Sequence, residues 1–249
     1  MIKNLLDSLK MKGALEALDR LEEISDRDSF VMALLQAECD DREIRASRRR
    51  LANAKFPVDK EWSDIDSSLN PAISFNDIKS LSSSNFIGDR KNLCLMGQQG
   101  TGKTHSLIAL GRDLCRRGVS TKFYTACELV NILEEAKVQC CLSKVMQKLM
   151  KPALLIIDEL GFIPFSENGA RLLFDVFAGR YERGSIAVST NLSFDKWVQI
   201  FGSVELTSAL LDRFTHNAYI FTYKGESVRF KQAKNNKEHC HPILEPGGS

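Results

Sequence analysis

Gly97-Gln98-Gln99-Gly100-Thr101-Gly102-Lys103-Thr104 follows the short apolar stretch Leu93–Met96 and precedes an apolar, helix-patterned run beginning near His105. The eight residues fit G-x-x-x-x-G-K-[ST], and the strand–loop–helix setting gives that pattern its meaning. Glycines let successive backbone N–H groups turn inward around a phosphate, and the N-terminus of the next helix adds partial positive charge. In such a loop Lys103 reaches the β- and γ-phosphates and the Thr104 hydroxyl ligates Mg²⁺. Gly97 through Thr104, together with His105, are therefore the candidate nucleotide-binding residues. The bland alternative is an ordinary glycine turn, which would not need every motif position filled.

Outward from the loop, short apolar runs at 92–96, 121–125, 153–157, 186–190 and 218–222 alternate with helix-patterned segments. That alternation predicts an α/β fold, a P-loop core of three αβα layers around a parallel sheet. One of these runs, Ala153 to Ile157, ends in Asp158-Glu159. Asp158 at a strand's C-terminal edge suits Mg²⁺ binding, with Thr104 as the second ligand. Glu159 suits a general base that polarises the attacking water. A strand ending in two acids is common by chance. Behind a phosphate loop about fifty residues upstream, it favours ATP hydrolysis over binding alone.

The remaining chain divides into a helical N-terminal region (1–56), a connector (57–90), the core (91–230) and a polar tail (231–249). Ile2, Leu5, Leu6, Leu9, Leu15, Leu18 and Leu21 recur at helical spacing, with Gly13 as the expected interruption. A second long helix is expected from about Phe30 to Ala54, where Pro57 stops it. Phe30, Val31, Leu34 and Leu35 read as core, as do Phe162, Phe165, Phe174 and Phe177. The 249 residues carry 34 Lys+Arg against 32 Asp+Glu, and no apolar run approaches a bilayer span. Seven scattered cysteines without a CxxC pair point to free thiols in a reducing cytoplasm. His239-Cys240-His241 lacks partner ligands, and Cys140-Cys141 read as packing residues.

Several segments in order carry a family resemblance. They are the phosphate loop, Leu155-Ile156-Ile157-Asp158-Glu159-Leu160-Gly161, Arg180-Tyr181-Glu182-Arg183-Gly184, Ser189-Thr190-Asn191-Leu192, Ala209-Leu210-Leu211-Asp212-Arg213-Phe214 and Gly225-Glu226-Ser227-Val228-Arg229. Together they resemble the IstB family of AAA+ ATPases, transposition helpers of insertion sequences related to DnaC-type helicase loaders. The resemblance implies that Asn191 is sensor 1, positioning the hydrolytic water, and that Arg229 is the sensor 2 arginine. It implies that Arg213 is an arginine finger reaching a neighbour's nucleotide, and hence a homo-oligomer. It also implies assembly on duplex DNA and a partner transposase (IstA-like), with a replicative helicase as the alternative partner. Gln98-Gln99 stand where two prolines are usual, and Ser189-Thr190 reverse the usual Thr-Ser.

Arg42, Arg45 and Arg49 share a helix face with Arg48 beside them, a stripe suited to backbone phosphates. The competing reading pairs that stripe with Asp40, Asp41 and Glu43 as a solvated helix. By resemblance, the segment from Val130 to Lys151, with Lys137 and Lys144, is the insertion that faces DNA. Nothing in the sequence suggests base-specific readout. Three rival functions remain: a helicase loader, a small-molecule kinase built on the same loop, and a DNA-coating module that barely hydrolyses ATP.

Overall fold

The computed structural model describes residues 2–21, 23–65, 75–223 and 227. Five strands form one all-parallel sheet: β1 (Asn92–Gly97), β2 (Thr121–Thr125), β3 (Leu154–Leu160), β4 (Ser185–Thr190) and β5 (Ala218–Tyr223). Their spatial order is β2-β3-β4-β1-β5. The apolar runs had placed all five strands to within a few residues. Alternation along them serves two cores. Leu93, Leu95, Leu154, Ile156 and Ala187 face one side, and Cys94, Leu155, Ile157, Ile186 and Val188 face the other. Both faces are covered, so the strands read as continuous apolar runs.

Of the numbered helices, α1 (Ile2–Ser8), α2 (Lys12–Ala17), α3 (Arg27–Ala54) and α4 (Phe75–Ser80) precede the sheet. Helices α5 (Lys103–Arg116), α6 (Ala126–Val138), α7 (Leu142–Met150), α8 (Glu167–Arg180), α9 (Val198–Phe201) and α10 (Val204–Thr215) follow. One layer is α5, with Leu107, Ile108, Leu110 and Leu114 buried against the first face. The opposite layer is built from α6, α8 and α10, through Leu129, Leu133, Leu173, Val176, Leu210 and Phe214. Sheet and layers together are the P-loop AAA+ fold.

The N-terminal region departs from expectation in where its first helix breaks, where α3 starts and which apolar residues it buries. The first helix breaks at Lys10, whose φ of 57° is left-handed, and not at Gly13. Gly13 lies inside α2, where it lets that helix lie against Ala37 and Glu38 of α3. Around Ala14 gather Leu6, Leu18 and the partly buried Met11, Leu15, Phe30 and Leu34. Ile2, Leu5 and Leu9 are exposed, and so are Val31 and Leu35, which had read as core. Helix α3 starts at Arg27 because the Asp26 carboxylate caps it, accepting from the Ser29 N–H at 2.8 Å.

The C-terminal half of α3 is tied to the core. Arg50 Nε donates to the Cys115 carbonyl at 2.7 Å, and Lys122 Nζ donates to that of Asn53 at 2.7 Å. After it, Glu61 accepts from Arg112 Nε at 2.8 Å and pairs with Arg116, clamping the connector to α5. The Arg116 hydrogen bond, aided by Arg112, holds the Glu61 carboxyl down at about 2.

Arg180 explains part of the 180–184 segment. It is 1% exposed and donates to the carbonyls of Leu149 (2.8 Å), Pro152 (2.9 Å), Ala153 (3.1 Å) and Ser185 (2.8 Å). It thereby fastens the end of α8 to the end of α7 and the starts of β3 and β4. A Cβ at Gly184 would press on its guanidinium at 2.6 Å. Burial draws this guanidinium down to about 10, so it stays charged at neutral pH.

Two expectations follow. Arg180→Met strands several buried carbonyls, costing about 3 kcal/mol and lowering the melting temperature by roughly 6–12 °C in a calorimetric scan. Glu61→Gln costs on the order of 1 kcal/mol near neutral pH, the clamp being partly exposed. Because the folded-state carboxyl is depressed, that contribution is full above the unfolded value near 4.5 and fades as pH falls toward 2. The melting temperatures of Glu61→Gln and wild type should therefore begin to converge below about pH 4.5 and meet only near pH 2.

Candidate nucleotide-binding site

The site is assembled at the C-terminal edge of the sheet. Gly97 ends β1 with φ 148° and packs so closely on the Tyr223 backbone that a side chain there would collide. Tyr223 in turn donates its hydroxyl to Ser106 Oγ at 2.7 Å, bracing the first turn of α5. Gly102, with φ 101°, is the N-cap of α5 and brings no side chain to its first N–H groups. Those groups are the donors a phosphate needs. The helix begins at Lys103, two residues before the expected His105.

Lys103 is 8% exposed, and its Nζ donates to the carbonyls of Gly97 at 2.7 Å and Gln98 at 2.6 Å. Burial pulls its ammonium below the usual lysine value, while Asp158 and Glu159 pull the other way. Thr101 is buried and donates to the Gln98 carbonyl at 2.8 Å, closing the loop on itself. Thr104 Oγ1 lies 3.1 Å from Asp158 Oδ1. A hydroxyl and a carboxylate so placed are hard oxygen donors, the set that Mg²⁺ takes. Asp158 is 2% exposed, and burial raises its carboxyl, opposed by hydrogen bonds from Ser189 and Thr104 and by Lys103.

Glu159, beside it, is exposed and holds φ 60°. For a residue other than glycine, this left-handed conformation costs on the order of 1–2 kcal/mol. The next strand brings Asn191, on a turn where the Leu192 N–H donates to Thr190 Oγ1 at 3.1 Å. Gln99, Gly100, Lys103, Thr104, Glu159, Phe162, Ser189, Thr190 and Asn191 line one cleft of about 180 Å³.

Other residues lie elsewhere. His105 turns its ring to the connector, with Nε2 3.0 Å from the Glu61 carbonyl oxygen. Arg213 is half-buried, donates to the Ala209 carbonyl at 3.0 Å and sits over the Phe174 ring at 5.6 Å. It lines a separate cavity of about 270 Å³ with Asn92 and Ile186, in the first residues of β1 and β4, at the opposite edge of the sheet. Ser227 lies against Gly100. Arg229, His239-Cys240-His241 and the tail from 231 lie outside the described residues.

Among the candidate DNA-facing residues, Arg42 and Arg45 are held by acids. The 3% exposed Glu38 accepts from Arg42 Nε at 2.6 Å, and Arg45 lies 2.6 Å from Asp41. Lys137 is bonded to Asn168. Arg48, Arg49 and Lys144, all exposed, make no ion pair with any described residue. The Val130–Lys151 segment is the end of α6, the exposed tip Lys137–Cys140 and α7; Lys144 and Lys148 share one exposed face of α7.

Sequence reasoning missed three residues that line the cleft, Phe162, Ser189 and Thr190. Phe162, expected in the core, is 54% exposed on the loop after β3. The Gly161 before it, with φ 91°, and the Pro164 after it were the signals of a loop. Ser189 and Thr190 were noted only as part of a motif, because their place beside the acidic strand is set by the sheet order. Cys140, expected to pack, is exposed.

Residues 4–236 match the model of the IstB-like ATP binding proteins. The chain is 36% identical over 209 residues to the putative ATP-binding protein of insertion sequence IS5376 from Geobacillus stearothermophilus, covering 84% of this chain and 83% of that one. It is 33% identical over 236 residues to the IS21 counterpart from Pseudomonas aeruginosa, covering 92% and 89%. Among solved structures, it resembles DnaI (TM-score 0.55, 19% identity, 72% of this chain and 92% of that one). The DnaC helicase loader is similar at TM-score 0.52 and 19% identity, over 70% and 99%. These two share the fold, while sequence identity over most of the chain gives the family: the protein belongs to the IstB-like ATP binding proteins.

Proposed function

We propose that this chain binds ATP with Mg²⁺, hydrolyses it, and acts as a DNA-binding helper of transposition. The observation that carries the catalytic part is the convergence of Lys103, Thr104, Glu159 and Asn191 on one cleft, with Asp158 directly behind Thr104. When ATP binds, the Lys103 ammonium exchanges the Gly97 and Gln98 carbonyls for the β- and γ-phosphates, a stronger charge-assisted contact. Open N–H groups at the start of α5 hold the phosphates from below. Thr104 and Asp158 would hold Mg²⁺, which neutralises charge on the phosphates. Glu159, exposed at the rim, takes the proton of the attacking water, and Asn191 orients that water.

Arg213 cannot reach this cleft in its own chain, because it sits at the other edge of the sheet. That placement supports a finger acting in trans, in a head-to-tail assembly where each copy completes its neighbour. DNA contact is best supported at Lys144 and Lys148 and at Arg48 and Arg49, exposed cations of the two candidate segments that make no ion pair with a described residue. Arg42 and Arg45 are partly spent on Glu38 and Asp41, and Lys137 on Asn168. Insertion-sequence relatives at 33–36% identity favour a transposase as the protein partner over a replicative helicase.

Two experiments test the proposal. ATPase rate and solution mass are measured with and without duplex DNA for wild type, Lys103→Ala and Arg213→Ala. Lys103→Ala should lose nucleotide binding, and Arg213→Ala should keep binding but lose roughly 10³-fold in turnover. Mixing the two inactive variants should restore part of the rate, since an intact loop then meets an intact finger. No recovery, with Arg213→Ala as active as wild type, defeats the trans reading. For DNA, Lys144→Ala with Lys148→Ala should reduce the salt slope of binding by about one per lost phosphate contact, on all sequences alike. An unchanged slope removes α7 from the DNA surface.

A further inference from the structure

We infer that Ser189 is a positioning residue for both acidic groups of the site, and that its hydroxyl is what position 189 requires. The inference rests on the reading of the cleft as a Mg²⁺–ATP site. In the register of β3 against β4, Ile157 pairs with Val188 and Leu160 pairs with Thr190. Asp158 and Glu159 therefore stand together opposite the single residue Ser189, a bulge in a parallel ladder. A bulge leaves a backbone group without its ladder partner and re-aims the side chains beside it.

Ser189 answers both consequences with one oxygen. Its hydroxyl donates to Asp158 Oδ1, and the same Oγ accepts the Glu159 N–H at 3.0 Å. A serine hydroxyl has one proton and two lone pairs, so the two roles are compatible at the same moment. Thr104 Oγ1 meets the same Asp158 oxygen, at 3.1 Å. The carboxylate is thus gripped from α5 on one side and from β4 on the other. The bond to the Glu159 N–H substitutes for the missing ladder bond and braces the left-handed φ of 60° that directs Glu159 outward. Ser189 is 2% exposed, too deep to serve as a surface contact.

Removal of the hydroxyl should loosen the metal carboxylate and the base together while leaving the phosphate loop intact. Ser189→Ala is expected to lower kcat by 10- to 100-fold and to raise the Mg²⁺ concentration for half-maximal binding of a fluorescent (mant) ATP by at least fivefold. Mant-ATP affinity without Mg²⁺ should stay within about twofold of wild type, and the melting temperature within a few degrees. Ser189→Thr, which keeps a hydroxyl, should return both affected quantities to within about threefold. Ser189→Ala within twofold of wild type on kcat and Mg²⁺ dependence overturns the inference, while mant-ATP binding and turnover by wild type leave the nucleotide reading standing. Equal losses of affinity with and without Mg²⁺, together with a large fall in melting temperature, overturn it too, since they mark a merely structural serine. Folded Ser189→Thr as damaged as Ser189→Ala does the same. Wild type that neither binds mant-ATP nor hydrolyses ATP overturns the nucleotide reading itself.

Discussion

The arrangement depends on keeping one carboxylate charged almost out of water. Asp158 is 2% exposed at the end of a strand whose preceding residues, Leu154 to Ile157, are fully buried. A carboxylate in such surroundings tends toward protonation, and burial does raise it. Four groups oppose that tendency: the hydroxyls of Ser189 and Thr104, the backbone N–H of Glu159 and the ammonium of Lys103. Lys103 and Thr104 come from the first turn of α5, and Ser189 comes from β4. The strand order follows the same need, because β4 lies between the loop-bearing β1 and the acid-bearing β3. A third strand thus supplies Ser189 and Asn191 to a cleft that two strands alone would leave incomplete.

The sheet and the phosphate loop were legible because both are local. A strand buried on two faces must be apolar throughout, and a loop that wraps a phosphate must have glycine at fixed positions. Asp158-Glu159 gained meaning only beside the loop. What stayed illegible depends on register. No spacing in the sequence announces that Asp158 and Glu159 both stand opposite Ser189, because a bulge is a relation between two strands. The exposure of Phe162 is hidden for a similar reason: an aromatic near a buried strand looks like core until the backbone turns at Gly161. The N-terminal apolar residues show the same error from another cause. Helical spacing is satisfied by Ile2, Leu5 and Leu9, yet the helix ends at Ser8, leaving too little partner surface to cover them.

Arginines show how burial separates residues that look alike in a sequence. Arg180 ends α8 and Arg213 nearly ends α10, and both border the same cavity. Arg180 spends its guanidinium on carbonyls of Leu149, Pro152, Ala153 and Ser185, so it belongs to the frame. Arg213 makes one bond within its own helix and rests on an aromatic face, an arrangement that positions the cation without neutralising it. Beneath it, Asn92 donates to the Phe214 carbonyl at 3.0 Å and accepts the Ile186 N–H at 2.9 Å. The end of α10 is thereby locked to the starts of β1 and β4. Since β1 also carries the phosphate loop at its far end, a rigid strand joins the two functional edges. In the head-to-tail assembly proposed above, that strand would link the contact made by Arg213 to the phosphate loop of the same chain.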